Sequence, residues 1–221
     1  FDYVKLLSDD PALGDFLFVN EGINSRLVYH LLPLVDTVTV LKPRHVFILI
    51  GTNDMKGSLS EEEYRRYDEL WSLPRKPTKQ WYTETYARLV DALKEKTGAR
   101  ITLISIPPLG ERPDSDPFKL AADYSKAIKD IASEKKVSYI PLNEILSAEL
   151  ARRGKKDVKP YTMDEGFMYR AIAKRYLLRK TWDAISDDRD LLFMPDNIHL
   201  NERGGKILAE RIKKFLIDGG E

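Results

Sequence analysis

An aspartate and a histidine lie three residues apart near the carboxyl end, in Met194-Pro195-Asp196-Asn197-Ile198-His199. Side chains at this spacing face each other in a tight turn, so Asp196 can accept a hydrogen bond from one ring nitrogen of His199. The other nitrogen is then a proton acceptor, and a general base oriented by an anion is half of a serine hydrolase triad. In the structural alternative, His199 closes a loop and Asp196 caps the next turn.

Two further segments could stabilise a negative charge. Asn53 and Asp54 follow an apolar run in Leu49-Ile50-Gly51-Thr52-Asn53-Asp54-Met55, and the NH₂ of Asn53 could donate to an oxyanion without adding a charge. The alternative is an Asx turn that bonds only neighbouring backbone. The string Asn20-Glu21-Gly22-Ile23-Asn24-Ser25 leads into a predicted helix, whose first N–H groups can hold an anion. Its alternative is an ordinary strand-to-helix turn.

Other reactive groups are few. The absence of cysteine excludes thiol nucleophiles, zinc thiolate sites and disulfides. His30 lies in a leucine-rich helical segment and His45 begins a strand, so we interpret both as structural. No second histidine or carboxylate cluster stands at ligand spacing from His199, and we therefore expect neither a metal nor a cofactor.

The order of elements indicates how these residues are positioned. Apolar runs of strand length alternate with segments of helical periodicity, which predicts an α/β fold with a parallel sheet and right-handed crossovers. Ligands bind beyond the carboxyl ends of strands in such sheets. The predicted strands are 16–19, 45–50, 101–106 and 137–142, and the predicted helical stripes are 27–38, 82–93, 121–131 and 207–216.

One domain over residues 1–221 is the simplest interpretation, with a helical excursion at 143–195 before the last helix. Between Arg152 and Lys180 stand ten basic and three acidic residues, including Lys155 and Lys156. This segment could screen a pocket or favour an anionic substrate, or it could be a solvated helical face. Its apolar residues are expected to pack on the domain or on a partner subunit: Phe167, Met168, Ile172, Tyr176 and Trp182.

Composition excludes several classes of protein. The chain has 221 residues, 43% of them apolar and 32% charged, with a formal net charge of +1. These values are not those of a disordered chain, and no apolar run is long enough for a transmembrane segment. The near-zero charge supplies no overall field for nucleic acid. Trp71 and Trp81 could line a substrate groove, although filling a core is the commoner use of tryptophan.

Taken together, the strings 19–25, 51–54 and 196–199 resemble, in order, the second, third and Asp-x-x-His motifs of the SGNH/GDSL hydrolase superfamily. Pro107-Pro108 is also common in that superfamily. The resemblance implies a flavodoxin-like three-layer α/β/α sandwich and a serine esterase. It implies that His199 is the base, Asp196 its orienting partner, and Asn53 together with the backbone N–H of Ser25 the oxyanion hole.

Two departures from the family pattern stand out. Ser25 occupies a position that is usually glycine, although its backbone N–H can still donate. The Gly-Asp-Ser motif that carries the nucleophile is absent from the sequence, and we expect it, with its strand, upstream of Phe1. Ser8 and Ser25 are poor replacements, because Ser8 lies at the far end of the first helix and Ser25 lies too close to the oxyanion.

The expected activity is metal-independent hydrolysis of a small acyl ester, such as an acetyl ester, of a carbohydrate or lipid alcohol. One alternative is a non-catalytic module that binds an acylated glycan and has no nucleophile. Another is a thioesterase or lysophospholipase of the same superfamily. The sequence does not distinguish acyl-chain length, leaving group, oligomeric state or compartment.

Overall fold

The computed structural model describes residues 1–154 and 157–219, and the side chain of Glu165 is not described. Lys155 and Lys156 of the predicted basic segment therefore lie outside the described residues. The chain divides into two compact units. The first unit comprises Phe1–Gly22, Pro108–Phe118 and Ile145–Glu221, and the second comprises Ile23–Pro107 and Lys119–Glu144. A single domain over the whole chain stays a prediction.

Helices and short parallel strands alternate through most of the chain. The elements are α1 (Tyr3–Ser8), a 3₁₀ helix (Pro11–Leu13), a second 3₁₀ helix (Val28–Leu34), α2 (Val35–Val40), β1 (His45–Ile48), α3 (Thr52–Leu59), α4 (Glu61–Trp71), α5 (Lys79–Lys96), β2 (Arg100–Ile104), α6 (Asp116–Lys135), β3 (Ser138–Ile140), α7 (Leu142–Arg153), α8 (Glu165–Leu177), α9 (Trp182–Asp187) and α10 (Glu202–Asp218).

The second unit contains a parallel sheet with strand order β1-β2-β3 in the described residues. Residues 101–104 of β2 are all buried. Because successive side chains point to opposite faces of a sheet, both faces of β2 are covered. The structure thus confirms the predicted α/β class with a parallel sheet, and α7 to α9 form the predicted helical insertion before the last helix.

Each of these strands ends two residues earlier than predicted, and beyond β1 and β2 side chains bond the backbone carbonyls. Tyr82 Oη donates to the carbonyl of Ile50 at 3.3 Å, and Asn143 Nδ2 donates to that of Ile106 at 2.9 Å. Tyr82 also closes the space beside Gly51, whose φ is 130°. A Cβ at Gly51 would lie 2.5 Å from the Tyr82 hydroxyl oxygen, so only glycine fits at the point where β1 leads into α3.

Two predicted elements differ from the structure. The strand predicted at 16–19 is wrong: the segment is irregular, and Leu17 is 92% exposed. A strand needs a neighbour for its hydrogen-bond ladder, and the described part of the first unit contains no other strand. The helix predicted at 27–38 begins as a 3₁₀ helix, because Pro33 lacks an N–H and cannot continue an α-helical ladder.

Helix α8 and its surroundings carry the basic segment of the first unit. Arg170 pairs with Asp164, while Lys174 and Lys180 both pair with Asp188. Asp188, which lies beyond the stretch Arg152–Lys180, thus neutralises part of the positive charge of that stretch. Tyr176 is 73% exposed, so its ring does not pack on the described part of this chain, and its packing on a partner subunit stays a prediction.

None of the helices in residues 1–154 and 157–219 has the length and apolar character needed to cross a membrane.

Candidate active site

Asp196 and His199 lie in a tight turn of the first unit, between α9 and α10. The left-handed φ of Asn197, 67°, lets the chain reverse within the turn. Asp196 Oδ1 accepts the backbone N–H groups of Ile198 at 3.1 Å and His199 at 2.8 Å. Its other oxygen, Oδ2, lies 2.7 Å from His199 Nδ1. The turn therefore orients the carboxylate toward the imidazole through local bonds.

The two members of this pair differ in their exposure to solvent. The side chain of His199 is 61% exposed and that of Asp196 is 5% exposed. Burial opposes ionisation of Asp196, but the hydrogen bond and charge of His199, together with the backbone N–H groups of His199 and Ile198, outweigh it and hold the pKa of the carboxyl below its usual value. An ionised carboxylate only accepts, so Nδ1 carries the proton and Nε2 is left as a base.

Asn53 lies in the first turn of α3 in the second unit. Its Oδ1 accepts the hydroxyl of Tyr67 at 2.8 Å, and its Nδ2 donates to the carbonyl of Arg26 at 2.9 Å. These partners are remote in sequence, so the amide does not form the Asx turn that was the alternative interpretation. The second N–H of Asn53 donates to no other described residue and is available to a ligand.

Ser25 adopts a left-handed φ of 63°, a conformation that favours glycine. This backbone geometry explains why glycine is usual at the position. The carbonyl of Ser25 accepts the indole N–H of Trp71 at 2.9 Å, and the guanidinium of Arg26 lies 4.7 Å from the centroid of the same ring. The backbone N–H of Ser25 bonds no other residue in the described ranges.

Asp54 also bonds the segment that follows Ser25, and the sequence alone assigned it no role. The carboxylate is buried, and both of its oxygens accept the backbone N–H of Val28, at 3.2 and 3.1 Å. Burial raises the pKa of Asp54 to about 7. The signal in the sequence was an acid a few residues after a strand, but its partner 26 residues earlier could not be identified from the sequence.

The structure thus brings the predicted site residues together in two groups. Asp196 contacts His199 in the first unit, while Asn53 contacts the segment that contains Ser25 in the second unit. Ser8 ends α1, as expected.

The remaining histidines and tryptophans make contacts within the second unit. His30 is buried, its Nδ1 accepts the N–H of Leu27 at 2.9 Å, and burial followed by the charge of Arg26 lowers its pKa. His45 begins β1. Trp71 and Trp81 are half-buried, with Trp71 5.0 Å from the ring of His30 and Trp81 5.3 Å from that of Tyr29. A role for the two indoles in a substrate groove stays a prediction.

The fold resembles those of several solved enzymes. LAE5, an alpha/beta hydrolase enzyme from the metagenome of Lake Arreo, Spain, is 18% identical with a TM-score of 0.64, over 98% of this chain and 81% of that one. The acetyl xylan esterase AlAXEase is 17% identical with a TM-score of 0.64, over 95% and 88%. Axe2, an acetylxylan esterase from Geobacillus stearothermophilus, is 20% identical with a TM-score of 0.61, over 95% and 78%.

At identities of 17–20%, the TM-scores of 0.61–0.64 show a shared fold alone. A search of curated proteins returned no match. The sequence model of the GDSL-like Lipase/Acylhydrolase family matches residues 2–207, a range that includes all four predicted site residues. The order of the motifs, the parallel α/β fold and this match lead to one assignment: the chain belongs to the GDSL-like lipase/acylhydrolase family.

Proposed function

We propose that this protein is a serine esterase that hydrolyses a small acyl ester, such as an acetyl ester, of a carbohydrate or lipid alcohol through an acyl-enzyme. The observation that carries the proposal is the 2.7 Å contact between Asp196 Oδ2 and His199 Nδ1. It leaves an oriented imidazole with a free basic nitrogen, which is what activation of a serine hydroxyl requires.

In the proposed mechanism, His199 Nε2 takes the proton of the serine hydroxyl as the serine oxygen attacks the ester carbonyl. The backbone N–H of Ser25 and the second N–H of Asn53 stabilise the oxyanion of the tetrahedral intermediate. His199 then protonates the departing alkoxide, and a water molecule activated by the same nitrogen hydrolyses the acyl-enzyme. The mechanism also requires a serine nucleophile, a role for which Ser8 and Ser25 are both poor candidates.

The solved relatives support an acetyl substrate. Three Axe2 structures are described as catalytic mutants, in which a serine, an aspartate and a histidine are each replaced by alanine. The aspartate and histidine of that enzyme are three positions apart, as are Asp196 and His199. Axe2 and AlAXEase are both named as acetylxylan esterases, which favours an acetylated carbohydrate for this chain.

The proposal is tested on the full-length protein with p-nitrophenyl acetate. We expect a burst of p-nitrophenol equal to the enzyme concentration, followed by slower turnover, and we expect His199→Ala to abolish the burst. A normal burst from His199→Ala would contradict its role as base. Binding of an acetylated oligosaccharide without any burst from the wild-type protein would identify a binding module instead. A panel of short and long acyl esters and thioesters then compares the esterase with a thioesterase or lysophospholipase.

A further inference from the structure

The segment that leads into Asp196 is held by one buried carboxylate. Glu111 Oε1 accepts the N–H groups of Phe193 at 2.6 Å and Met194 at 3.0 Å, while Oε2 accepts that of Leu192 at 2.5 Å. The side chain of Glu111 is fully buried, so these bonds take the place of water. Hydrogen bonds to an ionised acceptor are roughly twice as strong as neutral ones.

Gly110, the residue before Glu111, bonds the chain just after Asp196. The N–H of Gly110 donates to the carbonyl of Asn197 at 2.8 Å. Gly110 has a φ of 75°, and a Cβ on it would lie 2.9 Å from the backbone nitrogen of Tyr161. Two consecutive residues therefore bond the chain on either side of Asp196, and the close approach of the Tyr161 backbone requires glycine at the first of them.

Arg153, the last residue of α7, places a positive charge near the Glu111 carboxylate. Arg153 Nη1 lies 3.6 Å from Glu111 Oε2 and also donates to the carbonyl of Asp190 at 2.9 Å. Burial raises the pKa of Glu111, while the three N–H groups and then Arg153 oppose that shift. The carboxyl group thus has a defined set of partners that offset part of the cost of its burial.

The carbonyl groups of the turn have different partners. Asn201 Nδ2 donates to Leu192 at 2.8 Å, the N–H of Asn201 donates to Phe193 at 2.7 Å, and Arg189 Nη1 donates to Pro195 at 2.5 Å. Buried backbone groups need such partners, and in this segment Glu111 supplies the acceptor for three successive N–H groups. Removing it would leave those three donors unsatisfied while the bonds to the carbonyls remained.

We propose that Glu111 is a positioning residue for the Asp196–His199 pair, whose carboxylate sets the path of the backbone from Leu192 to Met194 and hence the place of Asp196 two residues later. The inference rests on the esterase function proposed above. A displacement of about 1 Å in a catalytic group can reduce the rate by about 10²-fold. Glu111 touches neither Asp196 nor His199 through its side chain in the bonds described, so its effect passes through the backbone.

The test uses Glu111→Gln in the full-length protein, since glutamine keeps the shape but turns an NH₂ toward the N–H groups. We expect kcat to fall about 10- to 100-fold with KM within about two-fold. We also expect the NMR signal of the His199 Nδ1 proton to shift or weaken. If this variant does not fold, Glu111→Asp keeps the charge at shorter reach and should give a smaller loss of kcat with the same change of signal.

Glu202→Gln is the matched control. Glu202 also accepts two backbone N–H groups in the first unit, those of Trp182 at 3.0 Å and Asp183 at 2.6 Å, but these begin α9 and do not lead into Asp196. Glu202→Gln should lower the melting temperature without changing kcat or the His199 signal. The proposal is overturned if Glu111→Gln leaves kcat and the His199 signal unchanged. It is also overturned if Glu111→Gln and Glu202→Gln lower kcat equally and the His199 signal is unaltered. A wild-type protein without esterase activity would defeat the proposed function, and the signal would still test Glu111.

Discussion

At the scale of single residues, the orientation of the proposed oxyanion donor Asn53 depends on its neighbours. The amide of Asn53 is oriented from both ends, because Tyr67 donates to its oxygen and the carbonyl of Arg26 accepts from its nitrogen. An amide held this way needs no reorganisation when a charge develops on a ligand, and such preorganisation is the main source of oxyanion stabilisation. Orientation therefore distinguishes Asn53 from an ordinary polar residue at a strand end.

Asn53→Ala should lower kcat by ~10²–10³ with little change in KM, because the lost bond forms chiefly in the transition state. Steady-state kinetics of the full-length protein on an acetyl ester measure both constants. Tyr67→Phe is the control for orientation: it keeps the amide but removes the donor to its oxygen, so we expect a smaller loss of kcat. Unchanged turnover in Asn53→Ala would remove this residue from the mechanism.

At the scale of elements, α3 is joined to the 3₁₀ helix at Val28–Leu34 by a buried acid. Asp54 lies one residue after Asn53 and accepts the N–H of Val28 through both oxygens. The two bonds from α3, at Asn53 and Asp54, thus reach residues 26 and 28 of the segment that follows Ser25. Packing alone would leave these segments free to slide, whereas directional bonds define their register.

The raised pKa of Asp54 makes a prediction about stability. The ordinary pKa is 3.8 and burial raises it to about 7 in the folded protein, so between these values the native state holds a proton that the unfolded chain has released. This contribution to stability is full below pH 4, falls as the pH rises to 7, and is lost above. The melting temperature of Asp54→Asn should therefore fall less between pH 5 and pH 8 than that of the wild type.

Scanning calorimetry at the two pH values measures the difference, at about 2–4 °C for each kcal/mol in a chain of this size. Glu61→Gln is a suitable control, since Glu61 is exposed and pairs with Lys76 at the surface. Equal pH dependence in Asp54→Asn and the wild type would contradict the raised pKa.

At the scale of the whole molecule, apolar and aromatic burial is distributed unevenly. In the second unit, Tyr82, Tyr86 and Tyr124 are fully buried, with Tyr82 5.5 Å from Tyr86 and 4.9 Å from Tyr124 between ring centroids. In the first unit, α8 and the residue that follows it leave a run of apolar side chains exposed. The members of this run are Tyr169, Ile172, Tyr176, Leu177 and Leu178.

A matched pair of substitutions tests this distribution. Tyr86→Leu removes buried ring atoms and should lower the free energy of unfolding by roughly 2 kcal/mol or more. Tyr176→Leu alters an exposed ring and should change it by less than about 0.5 kcal/mol. Urea unfolding of both variants gives the comparison. A large cost for Tyr176→Leu would mean that another surface covers the ring in solution.

Much of the architecture could be predicted from patterns in the sequence. Helical periodicity located α5, α6 and α10, and buried runs located the three strands of the sheet. The prediction failed at 16–19, where an apolar run has no neighbouring strand among the described residues of its unit, and at Pro33, whose ring changed the type of helix. Strand formation depends on a partner elsewhere in the chain, which a local pattern does not contain.

The same distinction holds for the candidate site. The sequence alone determined the pairing of Asp196 with His199, because a contact across three residues is set by local turn geometry. Only the tertiary structure decided that Asn53 is held by Tyr67 and Arg26, that Asp54 reaches Val28, and that Glu111 collects N–H groups from a segment about 80 residues later. Those bonds join segments that meet only when the chain folds, so no spacing in the sequence encodes them.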